Sequence, residues 1–210
     1  HLRIMLSTMA VNEYTVSWNI GTFGHLLKAV IGVQKYKIIL DPQGIDSHYP
    51  GSGLHSYIDV IHPHDDKKVS NKTIKPYFSA PELRFFPLYL NYLKWDDLAE
   101  HVDIDDFVKT YWNHSDGPSE KCFNIDMTNF LTDTGQFIAD MEEFLQEKLN
   151  VNAVDLIQSK KEANYILYLR YKQIVTKGPA GTDLRPLERA IYICAKANGN
   201  YGEVMKNING

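Results

Sequence analysis

A change of hydrophobic period across Asn19–Gly24 constrains this chain of 210 residues more than any other feature. Ahead of it, Tyr14–Ser17 (YTVS) is a short run of strand formers, and Leu2–Ser7 (LRIMLS) reads as an earlier strand. After it, Phe23, Leu26, Leu27, Val30, Ile31 and Gln34 recur at i, i+3, i+4, i+7, i+8 and i+11. Residues three and four apart share a helix face, so this spacing predicts a helix with one apolar stripe. Tyr36–Leu40 (YKIIL), closed by Asp41-Pro42, then reads as a buried strand. Strand, Gly-containing turn, helix, strand is the grammar of a βαβ unit. The expected class is α/β: three-layer, with a mostly parallel central sheet flanked by helices.

Residues 41–80 carry Pro42, Pro50, Pro63 and Pro76 with Gly44, Gly51 and Gly53, and only Ser56–His62 alternates like a strand. A long irregular loop is expected there, of the kind that serves a function when it occurs in a compact domain. Helices are predicted over Phe86–Val102 and Asp103–Trp112, and a strand over Lys121–Met127. Asp133, with Gln136 three residues on, has a capping-box pattern ahead of the stripe Phe137, Ile138, Met141, Phe144, Leu145 and Leu149. A further helix is expected from Val154 to Ile174, then a loop over Thr176–Thr182 and a last helix over Leu184–Ala197, stopped by Gly199. With no repeat and no linker, residues 1–210 are expected to form a single domain.

Composition narrows the partners. Apolar residues make up 44% and charged residues 23%, which is globular. Lys and Arg number 22 against 26 Asp and Glu, a net charge of -4 without a basic run, so no nucleic-acid partner is expected. Two cysteines, Cys122 and Cys194, are too few for a disulfide framework or an all-thiolate zinc site. The best apolar stretch, Leu26–Val33, is interrupted by Lys28 and is far too short to span a bilayer. No membrane partner and a cytoplasmic location follow as expectations. The first residue is His1 rather than Met, which fits a chain trimmed at its amino end. In an acidic chain, any anionic ligand has to be held by a local arrangement.

Two loops offer one. Ser17-Trp18-Asn19-Ile20-Gly21-Thr22-Phe23-Gly24-His25 lies between a strand and a helix. A helix start presents unpaired N–H groups and the positive end of the dipole, glycine permits close approach, and Thr22 adds a hydroxyl. The same letters also describe an ordinary turn with Thr22 as a helix cap, and the Lys of a Walker sequence is absent. The second loop, Lys177-Gly178-Pro179-Ala180-Gly181, precedes Thr182 and Arg185, and can wrap an anion or serve as a Pro/Gly turn.

Three stretches in this order resemble the sulfotransferase family. That family has a P-loop-type α/β fold and moves a sulfuryl group from 3′-phosphoadenosine 5′-phosphosulfate (PAPS) to a hydroxyl or amine. Trp18-Asn19-Ile20-Gly21-Thr22-Phe23 is similar, at Gly21-Thr22, to the family's Pro-Lys-Ser-Gly-Thr-Thr loop for the 5′ phosphosulfate, with Asn19 where the family has Lys. Cys122–Leu131, followed by Phe137, Met141, Phe144 and Leu145, resembles the family's later strand and the helix ending in Phe-Leu. Thr176–Gly181 resembles the Arg-Lys-Gly-x-x-Gly loop that contacts the 3′-phosphate. The nearest counterpart of its Arg-Asp-Pro segment, Lys37–Pro42 with Ser47, lacks the Arg and falls only about twenty residues after the first loop. The resemblance implies PAPS or 3′,5′-adenosine bisphosphate held by Asn19, Gly21, Thr22, Phe23, Gly24, Lys177, Gly178 and Gly181. His25 and Thr22 take the catalytic roles, the acceptor is a small molecule or glycan, and no metal is expected.

Two other features compete. His48, His55, His62 and His64 share one segment with Asp65 and Asp66, and His62-Pro63-His64 puts two imidazoles on one side of an extended chain. A metal-dependent hydrolase is therefore one alternative, and a non-catalytic nucleotide- or anion-binding domain is the other. The aromatic cluster from Tyr77 to Trp95 reads as core packing ahead of a ligand wall. Asn71-Lys72-Thr73 and Asn113-His114-Ser115 match the glycosylation pattern without further support.

Overall fold

Tyr14–Ser17 forms strand β1, and Val16 at its centre is fully buried. The computed structural model describes residues 14–18, 23–37, 58–61, 70–80, 83, 86, 117–177, 188–189, 191–192 and 206. Helix α1 spans Gly24–Tyr36, β2 Ile58–Ile61, β3 Thr73–Tyr77 and β4 Phe123–Asp126. Helices α2 (Met127–Thr132), α3 (Thr134–Leu145) and α4 (Val151–Lys177) follow. The four described strands form one sheet in the order β2-β1-β3-β4, and every neighbouring pair is parallel. Tyr14 registers with Ile58, Thr15 with Thr73, and Ile74 with Phe123. The coarse class is α/β, as the period change predicts.

Three expectations are corrected. Tyr36 is not the start of a strand: it ends α1, which Lys37 closes in a left-handed conformation by donating its N–H to the Gly32 carbonyl. The remaining letters of that run, residues 38–40, lie outside the described residues. Within 41–80, β2 falls in the alternating Ser56–His62 segment, but β3 was hidden. Its Pro76 argues against a central strand. The register shows how it fits, because β1 meets β3 only at Thr73 and Ile74 and Pro76 lies beyond that pairing. The strand expected over Lys121–Met127 stops at Asp126, whose carboxylate accepts the Thr128 N–H at 2.9 Å and starts α2.

At α3 the cap is the expected one, Asp133 accepting the Gln136 N–H at 3.1 Å. Only half of the box forms, since the Gln136 side chain donates to Asp140 at 2.7 Å. The helix ends at Leu145 with Gln146 left-handed, so Leu149 belongs to the following turn. Asn150 caps α4 through the Ala153 N–H at 2.9 Å. α4 runs on through Thr176 and Lys177, where a loop was expected to begin. Residues 188–189 and 191–192 are helical, within the expected last helix. Among the described residues, no helix is long and apolar enough to cross a membrane.

α1 packs on β1 and α4, while α3 packs on β4. The end of α1 is clamped to the α3–α4 turn. Gln34 donates to the Glu147 carboxylate at 2.9 Å and the Lys148 carbonyl at 3.1 Å, and accepts the Asn150 N–H at 2.8 Å. Lys35 reaches the Leu145 carbonyl and Glu147, both at 3.1 Å. The hydrogen bond from Lys148 holds the Glu142 carboxyl below its usual range, and those from Gln34 and Lys35 do the same for Glu147. Both carboxyls therefore contribute stability above the value of about 4.5 of an unfolded Glu, and that contribution is lost as pH falls through their lower folded values. Urea unfolding across a pH series should show this loss, and Glu142→Gln with Glu147→Gln should flatten the acid limb. An unchanged limb would contradict the clamp's electrostatic role.

Candidate anion-binding site

The carboxyl ends of β1 and β3 lie side by side, and the chain leaves β1 there to enter α1. In this strand order, the chain runs outward from β1 to β2 and, in the opposite direction, from β3 to β4, so the crevice beyond β1 and β3 is a topological switch point. Phe23 fixes the position of α1 against it. Its ring centroid lies 6.5 Å from that of Phe78, just past β3, and 5.1 Å from that of Phe130 on α2. Phe23 is the N-cap residue, left-handed at φ 61, and no side chain caps the helix. The expected role of Thr22 as a cap is thus filled by a residue with no hydroxyl. An N-terminus without a side-chain cap retains a positive end facing the sheet's carboxyl edge.

Trp18 is the residue that sequence reasoning passed over. Its indole lies against the first turn of α1, so a Cβ added at Gly24 would overlap the ring. Gly24 is glycine because Trp18 occupies that space, a different reason from close approach to a phosphate. The same indole meets His25 edge-on, ring centroids 5.0 Å apart. Glycine beside a tryptophan six residues earlier was the available signal.

On the β3–β4 side, Asp126 does two jobs. Besides capping α2, it accepts the Ser79 N–H at 3.1 Å, while the Thr128 hydroxyl meets Ser79 Oγ and the Ala80 N–H, both at 3.4 Å. These bonds tie the exit of β3 to the start of α2. Burial, then the charges of Asp126 and Asp140, push the Tyr77 phenol upward, so it stays a protonated donor at neutral pH. Phe86 is fully buried, with ring centroids of Tyr171 at 5.2 Å and Tyr168 at 6.1 Å, so this part of the aromatic cluster is core. Lys28, met in the sequence as a break in an apolar stretch, is 1% exposed and lies within the core face of α1.

Of the expected site residues, Phe23, Gly24 and His25 come together at the start of α1. Asn19, Gly21, Thr22, Gly178 and Gly181 lie outside the described residues, as do His62, His64 and the other histidines and aspartates of that segment. Lys177 is the last residue of α4, and its side chain is likewise outside them. Among the described residues, no group of three or more His, Cys, Asp or Glu is placed to hold a metal ion. Compared with family models, curated proteins and solved structures, the chain matches none.

Proposed function

We propose that this α/β protein binds PAPS and transfers its sulfuryl group to a hydroxyl or amine of a small-molecule or glycan acceptor. The observation that carries the reading is the start of α1, a 13-residue helix without a side-chain cap at the carboxyl edge of a parallel sheet. Backbone N–H groups from Gly21 to Phe23 and the Thr22 hydroxyl hold the 5′ phosphosulfate, with the dipole of α1 behind them. Lys177 and the glycines Gly178 and Gly181 hold the 3′-phosphate. The acceptor oxygen or nitrogen attacks sulfur, the bond from sulfur to the bridging oxygen breaks, and 3′,5′-adenosine bisphosphate leaves with that electron pair. His25 takes the acceptor proton. Asn19, in place of the family's Lys, supplies an amide donor to the bridging oxygen rather than a cation, which makes this step slow.

Thermal unfolding with 3′,5′-adenosine bisphosphate tests the reading. A ligand selective for the native state raises Tm, and at a hundredfold excess over Kd it adds about 2.7 kcal/mol of stability. The rise should shrink in Lys177→Ala and in Thr22→Ala. No rise, or one that survives both substitutions, refutes the site. A rise with zinc or manganese that His62→Ala removes would favour the hydrolase instead. Nucleotide binding without sulfation of any acceptor would leave a binding domain.

A further inference from the structure

Helix α4 reverses its own amphipathic pattern partway along. Its buried stripe is Ala153, Ile157, Tyr168, Tyr171, Ile174 and Val175. Between Ile157 and Tyr168, the same spacing turns Lys161 and Asn164 inward. Tyr165, on the flank beside Lys161, is 42% exposed, and Ile166 and Leu169 on the outer face are 75% and 47% exposed. With Val151, they are the exposed large apolar side chains among the described residues. Polar groups inward and apolar groups outward are the inverse of what helix packing alone selects.

The reversal falls where the end of α2 meets α4. A cleft of about 490 Å³ opens there, lined in part by Leu131, Lys161, Glu162, Tyr165, Tyr168 and Lys172. The Tyr165 and Tyr168 rings lie 6.1 Å apart and inclined by 36°, with Tyr165 exposed at the cleft and Tyr168 buried at its floor. Lys172 Nζ stands 6.0 Å from the Tyr168 centroid at one end. At the other, Lys161 Nζ donates to Thr134 Oγ1 at 2.6 Å, so its charge sits beside the amino end of α3. A cation and a helix N-terminus there both favour an anion, and the Asp133 cap offsets part of that field. The lining carries two ammonium groups, Lys161 and Lys172, against one carboxylate, Glu162.

The geometry points to a binding site for a small aromatic anion, separate from the nucleotide site proposed above. A flat ring stacks on the exposed Tyr165, with the rim of the buried Tyr168 beneath it, and its sulfonate, carboxylate or phosphate meets Lys161 at the start of α3. Lys172 closes the far end. Aromatic stacking and a charge-assisted hydrogen bond together discriminate against neutral rings and against non-aromatic anions.

Calorimetric titration of the full chain with naphthalene-2-sulfonate tests this. Saturable 1:1 binding with Kd below about 1 mM is expected, with naphthalene-2-methanol at least about tenfold weaker. Lys161→Met should cost about tenfold, Lys161→Arg should restore most of it, and Tyr165→Ala should weaken binding several-fold. The comparison of charged and neutral probes uses the unaltered protein and needs no variant to fold. Equal affinity for the two probes, absence of saturable binding, or indifference to Lys161→Met overturns the site. So does displacement of the sulfonate by 3′,5′-adenosine bisphosphate, or a dimer in sedimentation that Tyr165→Ala dissociates.

Discussion

Gly24→Ala is expected to destabilise the protein by about 3 kcal/mol, although the same change at an ordinary helix position stabilises by up to about 1 kcal/mol. The sign is set by Trp18. The added methyl would overlap the indole, which is wedged against the first turn of α1 and meets His25 edge-on. Relief requires the indole to leave or α1 to lift from the sheet, and each loses packing around Phe23. Urea unfolding measures the loss. Trp18→Ala should then be much less than additive with it, because the two substitutions share one contact. The single variant should also bind 3′,5′-adenosine bisphosphate more weakly, since the displaced turn carries the N–H groups proposed to hold the phosphosulfate. A neutral or stabilising Gly24→Ala would show that Trp18 does not occupy that space.

Phe130→Ala should cost about 3–5 kcal/mol, the range for truncating a fully buried phenylalanine. Its ring lies between side chains of two other helices. The Phe23 centroid lies 5.1 Å away at the start of α1, and that of Phe137 lies 5.3 Å away in α3. Truncation opens a cavity between them that neither rigid helix can close. Phe130→Leu, which keeps most of the volume, should cost less than half as much. Equal losses from the two variants would mean that the site collapses around either side chain, and that the ring does not set the spacing between α1 and α3.

Local chemistry made part of this molecule readable. β1, the stripe of α1 and the Asp133 cap depend on residues within one turn or one strand, and each lies close to where the periodicity puts it. What escaped depends on partners far along the chain. Thr73–Tyr77 is a strand because β1 and β4 flank it, and its Pro76 is tolerated because the β1 register ends first. Tyr36 stays helical because Gln34 and Lys35 tie that end of α1 to residues 145–150. Lys28 interrupts the apolar stretch in the sequence, and no local rule predicts a lysine on a core face. At the candidate site, a strand–turn–helix was legible, but the reason for Gly24 was not. It rests on where an indole six residues earlier comes to lie.

The parallel pairing of the described strands also bears on how the protein can assemble. A hairpin forms from neighbouring segments, but among the described residues no strand pair is a hairpin. Thr15 has to find Thr73, and Ile74 has to find Phe123, across tens of intervening residues. Closing such loops costs entropy before any strand contact repays it. By contrast, α3, its turn and the first half of α4 are neighbours in sequence with caps at both helix starts. The helical half needs only local closures, while the sheet, and with it the crevice at the head of α1, depends on long ones.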